Sequence, residues 1–89
     1  MKKNKVEKPI NTAFEDLSKA IKSRRNELGL TQQQLAEYAG CGVVFVYDIE
    51  KGKPSVRFDK LVDVLTVIGL KLQVQRGKPG LDVARELQK

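Results

Sequence analysis

Residues 30–52 read LTQQQLAEYAGCGVVFVYDIEKG, and this stretch carries the strongest structural pattern in the 89-residue chain. Thr31, followed three positions later by Gln34, forms a capping box, in which side chains satisfy backbone N–H groups at the start of a helix. Gly40 marks the end of that helix, because glycine tolerates the positive φ that a tight turn requires. The pattern predicts a short helix whose inner face consists of Leu35, Ala36 and Ala39.

A second helix is predicted over residues 43–51, ending at Gly52. Val46 and Ile49 are three positions apart, so they lie on the same side of this helix, and we expect that side to face inward. The opposite side carries Val44, Tyr47, Asp48 and Lys51. Two helices joined by so short a turn are typical of a helix-turn-helix unit.

One further helix is predicted on each side of this unit. A second capping box, Thr12 with Glu15, begins an N-terminal helix that ends near Gly29. Its apolar residues fall on one face: Phe14, Leu17, Ile21 and Leu28. Ser55 is a suitable N-cap for a helix over residues 56–68. The inner face predicted for that helix is Phe58, Leu61, Val62, Leu65 and Ile68.

Residues 70–76, LKLQVQR, change from the helical period to strict alternation. Leu70, Leu72 and Val74 alternate with polar residues, which predicts a strand with one apolar face. The pattern gives this chain no second strand to pair with it, and an isolated strand leaves its backbone groups without hydrogen bonds. We therefore expect the strand to pair with the same strand of a second copy, which predicts a homodimer.

The chain thus divides into four parts. We interpret residues 1–11 as a flexible basic arm, in which Pro9 interrupts any helix, and residues 12–69 as a mainly α domain of four main helices. Residues 70–76 form the dimerisation strand, and residues 77–89 form a C-terminal tail.

Composition excludes several classes of function. The chain has 17 Lys plus Arg against 11 Asp plus Glu, a net charge of +6 that suits a nucleic-acid partner. It has one cysteine and no histidine, which argues against a disulfide, a His/Cys metal site and a Ser/His/Asp triad. We found no apolar run long enough for a signal peptide or a membrane span. These features predict a cytoplasmic protein that is not an enzyme and needs no cofactor.

The stretch at residues 30–52 resembles the XRE family of phage-repressor-like regulators. The matching elements are Leu30-Thr31-Gln32, Leu35-Ala36, Gly40 and Ile49-Glu50-x-Gly52. The resemblance extends over roughly residues 17–69. It implies a phage-repressor-like helix-turn-helix domain that binds double-stranded DNA, as a repressor on an inverted-repeat operator.

A narrower resemblance, to HipB-like antitoxins, covers residues 45–72. It rests on Gly-Lys-Pro-Ser at residues 52–55, Asp59-Lys60, Leu65, and Gly69-Leu70 leading into the strand. The resemblance implies a homodimer joined by a sheet between subunits, repression of its own operon, and a HipA-like kinase toxin as partner.

The XRE resemblance also implies which residues contact DNA. Val43, Val44, Tyr47 and Asp48 match positions that meet the major groove, although two valines stand where polar base readers are common. A valine packs on a thymine methyl group, and an aspartate accepts a hydrogen bond from cytosine N4. For Val43 and Val44, packing against neighbouring helices is the alternative.

Further contacts to the DNA backbone are expected outside this helix face. The resemblance implies that Gln32 binds a phosphate and braces the recognition helix, and Gln33 is placed to reach the DNA backbone. Lys51 and Lys53, with Arg57, either hold phosphates or form a solvated basic rim. The resemblance pairs Arg25 with Glu50, and we interpret the pair as a structural ion pair rather than a DNA contact.

Two other functions stay open at this point. The first is that of a stand-alone XRE-type regulator without a toxin. The second is that of a protein-interaction module that has lost DNA binding, since an exposed apolar face often marks a protein contact.

Overall fold

The structure is a computed structural model that describes residues 7–77 and 80–87. Four α-helices occupy these residues: α1 (Glu7–Glu27), α2 (Gln32–Ala39), α3 (Val43–Glu50) and α4 (Phe58–Val67). A single 3-10 turn follows at Arg85–Leu87. The mainly α, helix-turn-helix architecture predicted from the sequence is confirmed.

The first helix begins earlier than predicted. It starts at Glu7 rather than Thr12, so residues 7–11 belong to this helix and not to the predicted flexible arm. Pro9 lies within the first turn, where backbone N–H groups have no partner inside the helix and proline is tolerated. Residues 1–6 of the predicted arm lie outside the described residues.

The α2–α3 unit forms as its local signals predict. Thr31 Oγ1 accepts a hydrogen bond from the Gln34 N–H at 3.0 Å, and Gln34 Oε1 accepts from the Thr31 N–H at 2.9 Å. Gly40 ends α2 with φ of 72°, in the left-handed region that suits glycine. The capping box thus fixes the start of α2, and Gly40 turns the chain into α3.

All four helices contribute to one apolar core. α2 packs against both α3 and α4, and α1 packs against α3. The buried residues of this core are Ile21, Leu35, Ala36, Ala39, Val46, Ile49, Leu61, Val64, Leu65 and Ile68. Because α3 buries one side in this core, its other side is held outward on a rigid support.

Helix α4 differs from the prediction in its start and its inner face. It begins at Phe58, with Arg57 rather than Ser55 at the N-cap position and no side-chain cap. Phe58 and Val62 are exposed, whereas Val64 is fully buried. Leu61, Val64, Leu65 and Ile68 share one helical face, so orienting that face inward turns Val62 toward solvent.

The predicted apolar face of α1 also ends sooner than expected. Ile21 is fully buried, but Leu28 is exposed because α1 ends at Glu27 and the chain turns at Gly29, whose φ is 71°.

The segment from residue 70 to residue 76 is not a strand within the described residues. Leu70 is partly buried against the core, but Leu72 is 38% exposed and Val74 is 100% exposed. A strand needs a neighbouring backbone to complete its hydrogen bonds, and this segment lies beside no other strand in the described part of the chain. The β-strand and its pairing across a dimer therefore stay predictions.

Two further features concern the described residues only. No helix among them is both long enough and apolar enough to cross a membrane. They also contain no group of three or more metal-ligating side chains.

Candidate nucleic-acid interface

The outward side of α3 combines apolar and charged side chains on one surface. Val46 is fully buried, whereas Val44 is 66% exposed and Tyr47 is 49% exposed. Asp48 and Lys51 share this side with them, because residues three, four and seven positions apart lie on one face of a helix. We call Val44, Tyr47, Asp48 and Lys51 the outer face of α3.

Val43 lies at the edge of this surface. Its side chain is partly buried and packs against the core, as does that of Phe45 on the other flank. The structure therefore places Val44 and Tyr47 on the outer face and leaves Val43 between core and solvent. A DNA contact by Val43 stays a prediction.

A three-residue network connects α1, α2 and α3. Arg25 of α1 donates from Nε to Glu50 Oε2 at 2.7 Å and from Nη2 to Glu50 Oε1 at 3.0 Å. Gln32 of α2 donates from Nε2 to the same Oε1 at 3.1 Å. Arg25 Nη1 also donates to the Leu30 carbonyl at 2.8 Å. The ion pair thus holds the end of α3 to both neighbouring helices.

This ion pair is largely shielded from water. The side chains of Arg25 and Glu50 are only 10% and 3% exposed. The hydrogen bond to Glu50 raises the pKa of Arg25 above its ordinary value, against the opposing effect of burial, so the guanidinium stays charged at all ordinary pH values. A buried charge of this kind is stable only with its partner in place.

Lys51, at the end of the outer face, and Lys53, two residues later, each contact another residue of that face. Lys51 Nζ lies 5.4 Å from the centre of the Tyr47 ring, a cation–π distance. Lys53 Nζ lies 3.6 Å from Asp48 Oδ2. Both lysines are exposed. The predicted phosphate ligands are therefore next to the predicted base-contacting residues, and Lys53 offsets the negative charge of Asp48.

The remaining predicted contacts are less closely grouped. Gln33 is exposed at the start of α2, and its Nε2 donates to Glu37 Oε2 at 3.2 Å. Arg57 forms an exposed ion pair with Asp59 at 2.8 Å, and this hydrogen bond lowers the pKa of Asp59. Arg57 is thus held at the start of α4, rather than beside α3.

Sequence reasoning missed Ser18, which also supports α3. Ser18 lies on the buried side of α1, and its hydroxyl is within hydrogen-bond distance of the Ile49 carbonyl at the end of α3 and of the Phe14 carbonyl. The available signal was its spacing, since Ser18 falls four residues after Phe14 and three before Ile21, on an otherwise apolar face. A small polar residue there indicates a buried hydrogen bond.

Comparisons with known proteins agree with this geometry. The family model described as helix-turn-helix matches residues 21–75. The chain belongs to the XRE-type helix-turn-helix family. Family membership makes it a DNA-binding regulator of transcription.

Two individual proteins are similar to it. The uncharacterized HTH-type transcriptional regulator y4mF of Sinorhizobium fredii is 34% identical over 59 residues, which are 66% of this chain and 78% of that protein. The crystal structure of the clp gene regulator ClgR from Corynebacterium glutamicum matches with a TM-score of 0.59 and 27% identity. That match covers 66% of this chain and 63% of the ClgR chain, so it spans less than two thirds of ClgR.

Proposed function

We propose that this helix-turn-helix protein is a cytoplasmic repressor that binds an inverted-repeat operator as a homodimer. Each protomer places the outer face of α3 in the major groove of one half-site. It acts by binding alone, without catalysis or a cofactor. The single observation that supports this most is the contrast within α3, where Val46 is fully buried and Val44 is 66% exposed.

The groove assignment follows from this contrast. The major groove of B-DNA admits one α-helix, and the residues that reach base edges must project from a side that the protein core does not use. Val44 and Tyr47 project in this way, and the network of Arg25, Glu50 and Gln32 holds their helix in place. A helix held by two neighbouring helices loses little conformational freedom when it enters the groove.

Phosphate contacts supply the sequence-independent part of the affinity. Lys51 of the outer face and the neighbouring Lys53 are exposed. The start of α2 lies near the end of α3, since Gln32 Nε2 donates to Glu50 Oε1 at 3.1 Å. Free N–H groups at a helix N-terminus favour a bound anion. Each phosphate that is neutralised contributes about 0.9 to the slope of log affinity against log salt.

Fluorescence anisotropy with duplexes from the region upstream of the protein's own gene tests the groove assignment. We expect the Val44→Ala/Tyr47→Ala double variant to bind at least about tenfold more weakly, a loss of about 1.4 kcal/mol, because tyrosine is enriched among the interface residues that contribute most to binding. Tyr38→Ala is the control, since Tyr38 is also an exposed tyrosine but lies on α2. Equal affinity of the double variant and wild type would contradict the groove assignment.

The salt slope separates the lysines from the base-contacting residues. Lys51→Ala or Lys53→Ala should reduce the slope by about one unit, whereas Val44→Ala should lower affinity without changing the slope. An unchanged slope in both lysine variants would assign these residues to a solvated rim.

The homodimer rests on residues 70–76. Leu72 and Val74 are exposed apolar residues at alternate positions. Pairing this segment with the same segment of a second copy would bury both side chains and would give the strand's backbone groups hydrogen-bond partners. Analytical ultracentrifugation of Val74→Lys tests this, with Gln73→Lys as a control of equal charge on the opposite side of the strand. We expect Val74→Lys alone to shift the protein toward monomer. Two variants with the same sedimentation behaviour would contradict strand pairing.

We further propose that the repressor is the antitoxin of a HipA-like kinase and represses the operon that encodes both. The support is the resemblance at residues 45–72, particularly Gly-Lys-Pro-Ser at residues 52–55. Co-expression with a kinase encoded by the neighbouring gene should give a stable complex and relieve the kinase's growth arrest. A neighbouring gene of another kind, or a kinase that does not bind, would favour a stand-alone regulator. Failure to bind any duplex specifically would favour a protein-interaction module.

A further inference from the structure

The outer face of α3 has an unusual chemistry for a surface that reads bases. Its four residues include no amide and no guanidinium group, the planar groups that bind adenine and guanine through two hydrogen bonds. Lysine also binds guanine, but the one lysine of this face, Lys51, has its Nζ over the Tyr47 ring. Val44 is the most exposed apolar side chain of this helix, and Asp48 adds a carboxylate beside it. Val44 and Asp48 therefore offer methyl groups and a carboxylate acceptor to the groove, beside the Tyr47 hydroxyl and the Lys51 ammonium group.

We propose that α3 reads a thymine methyl group through Val44 and a cytosine amino group through Asp48, so that each operator half-site contains both bases under this helix. The inference rests on the proposed function, because it concerns the bases that the same surface recognises. It names the class of DNA sequence that the protein selects.

Val44 matches thymine for a simple reason. In the major groove, thymine is the base that presents a methyl group. The side chain of Val44 is largely exposed to water, so contact with that methyl group buries apolar surface on both partners. Burying one methyl-sized group changes affinity by about fourfold.

Asp48 matches cytosine by its hydrogen-bonding capacity. A carboxylate only accepts hydrogen bonds, and guanine and thymine present acceptors in the major groove. Adenine presents its amino group next to the N7 acceptor, which repels a carboxylate, whereas cytosine presents an amino donor alone. Cytosine is therefore the base that Asp48 favours.

The contact with Lys53 makes a carboxylate acceptable at this position. An unpaired aspartate in the groove is repelled by the phosphates, but Lys53 Nζ lies 3.6 Å from Asp48 Oδ2 and compensates the charge. A carboxylate has about four lone-pair sites, so it can contact Lys53 and still accept from a base. Lys51, over the Tyr47 ring, adds a second positive charge to the same face of α3.

The test begins with selection of duplexes from a randomised pool by the wild-type protein, Val44→Ala, Val44→Thr and Asp48→Asn. The duplex that wild type selects is then made with deoxyuridine in place of thymidine in the half-sites, which removes only the methyl group. Deoxyuridine at thymidines outside the half-sites is the control. Circular dichroism melting checks that these variants, at the exposed Val44 and the partly buried Asp48, stay folded.

We expect deoxyuridine to lower wild-type affinity about fourfold for each contacted methyl group. Val44→Ala should lose this sensitivity, and Val44→Thr should retain it because threonine keeps one γ-methyl group. Asp48→Asn should change the selected base from cytosine to adenine, which asparagine binds through N6 and N7.

The outcomes separate this inference from the proposed function. If no sequence is enriched by wild type, the repressor itself is disproved and the inference falls with it. If a sequence is enriched but deoxyuridine has no effect, or Val44→Ala remains sensitive to it, the valine contact is wrong while the repressor stands. Selection of cytosine by Asp48→Asn would overturn the assignment of Asp48.

Discussion

The α2–α3 unit and the segment at residues 70–76 have similarly clear sequence patterns but very different structures. Leu35 and Val46 are fully buried within their own chain, whereas Leu72 and Val74 are exposed. In each region the buried or buriable apolar residues recur with a regular period, that of a helix in the first and that of a strand in the second, and this period specifies the face that can be buried. The period does not specify which surface covers that face. In the second region the core of the described chain covers Leu70 in part but leaves Leu72 and Val74 exposed.

This difference gives the two regions different sources of stability. The α2–α3 unit is held by local caps, by the core and by the network around Glu50. The segment at residues 70–76 is held at its start, where the Leu70 N–H donates to the Leu65 carbonyl at 2.8 Å. We therefore expect substitutions in the first region to change the stability of the folded chain, and substitutions in the second to change association.

The largest expected effect is at Glu50. Glu50→Ala leaves the buried Arg25 guanidinium without its carboxylate, which typically costs about 3–5 kcal/mol of unfolding free energy. Urea denaturation measures this loss. Glu27→Ala is the control, since Glu27 forms an exposed ion pair with Arg24 at 3.0 Å, and such pairs contribute about 0–1 kcal/mol. Similar losses in the two variants would show that burial does not distinguish the pairs.

The two regions are compared directly by one substitution made in each. Leu35→Ala removes a fully buried side chain, so the unfolding free energy should fall by about 2–5 kcal/mol at any protein concentration. Leu72→Ala should have an effect that depends on protein concentration, because the proposed pairing partner is a second copy. Melting curves at low and high concentration check this. A concentration-independent loss of similar size for Leu72→Ala would place this segment in the core of its own chain.

Features of the fold that depend on a few adjacent residues could be predicted from the sequence. The Thr31–Gln34 box and the turn at Gly40 are examples, because the atoms that stabilise them lie within a few positions of one another. The start of α1 was predicted wrongly, since Pro9 was interpreted as a break although it is compatible with a first turn. For α4, Val62 and Val64 are both apolar, and only packing decides which one is buried.

The candidate site was predictable to a similar extent. The periodicity of α3 indicated that Val44 and Tyr47 lie opposite Val46, and the structure places them there. The contacts of Lys51 with Tyr47 and of Lys53 with Asp48 depend on side-chain direction, which spacing alone does not give. The hydrogen bond between Ser18 and the Ile49 carbonyl joins residues 31 positions apart, so it follows from the tertiary arrangement of α1 and α3.

A smaller effect is expected at Ser18. Ser18→Ala removes the hydroxyl group that donates to the Ile49 carbonyl, and the unfolding free energy should fall by about 1 kcal/mol. The loss is limited because the Gly52 N–H also donates to this carbonyl, at 3.2 Å. Ser23→Ala, at an exposed position of the same helix, controls for helix propensity. A Ser18→Ala variant as stable as Ser23→Ala would show that this bond does not stabilise the end of α3.

The smallest effect concerns Cys41 in the turn between α2 and α3. Burial raises the pKa of its thiol, with a smaller opposing effect from Lys60 and a smaller reinforcing one from Asp63. Because the thiolate is the reactive form, iodoacetamide should modify Cys41 more slowly in the folded protein than in urea. Gln73→Cys in a Cys41→Ser background places a thiol in the exposed segment and should react faster. Since the folded state disfavours the thiolate, stability from this group is present below the ordinary thiol pKa and is lost as the pH rises through the raised one. Equal modification rates at the two positions would show that the α2–α3 turn is no more protected from solvent than residues 70–76. The contrast between the two regions would then not extend to this turn.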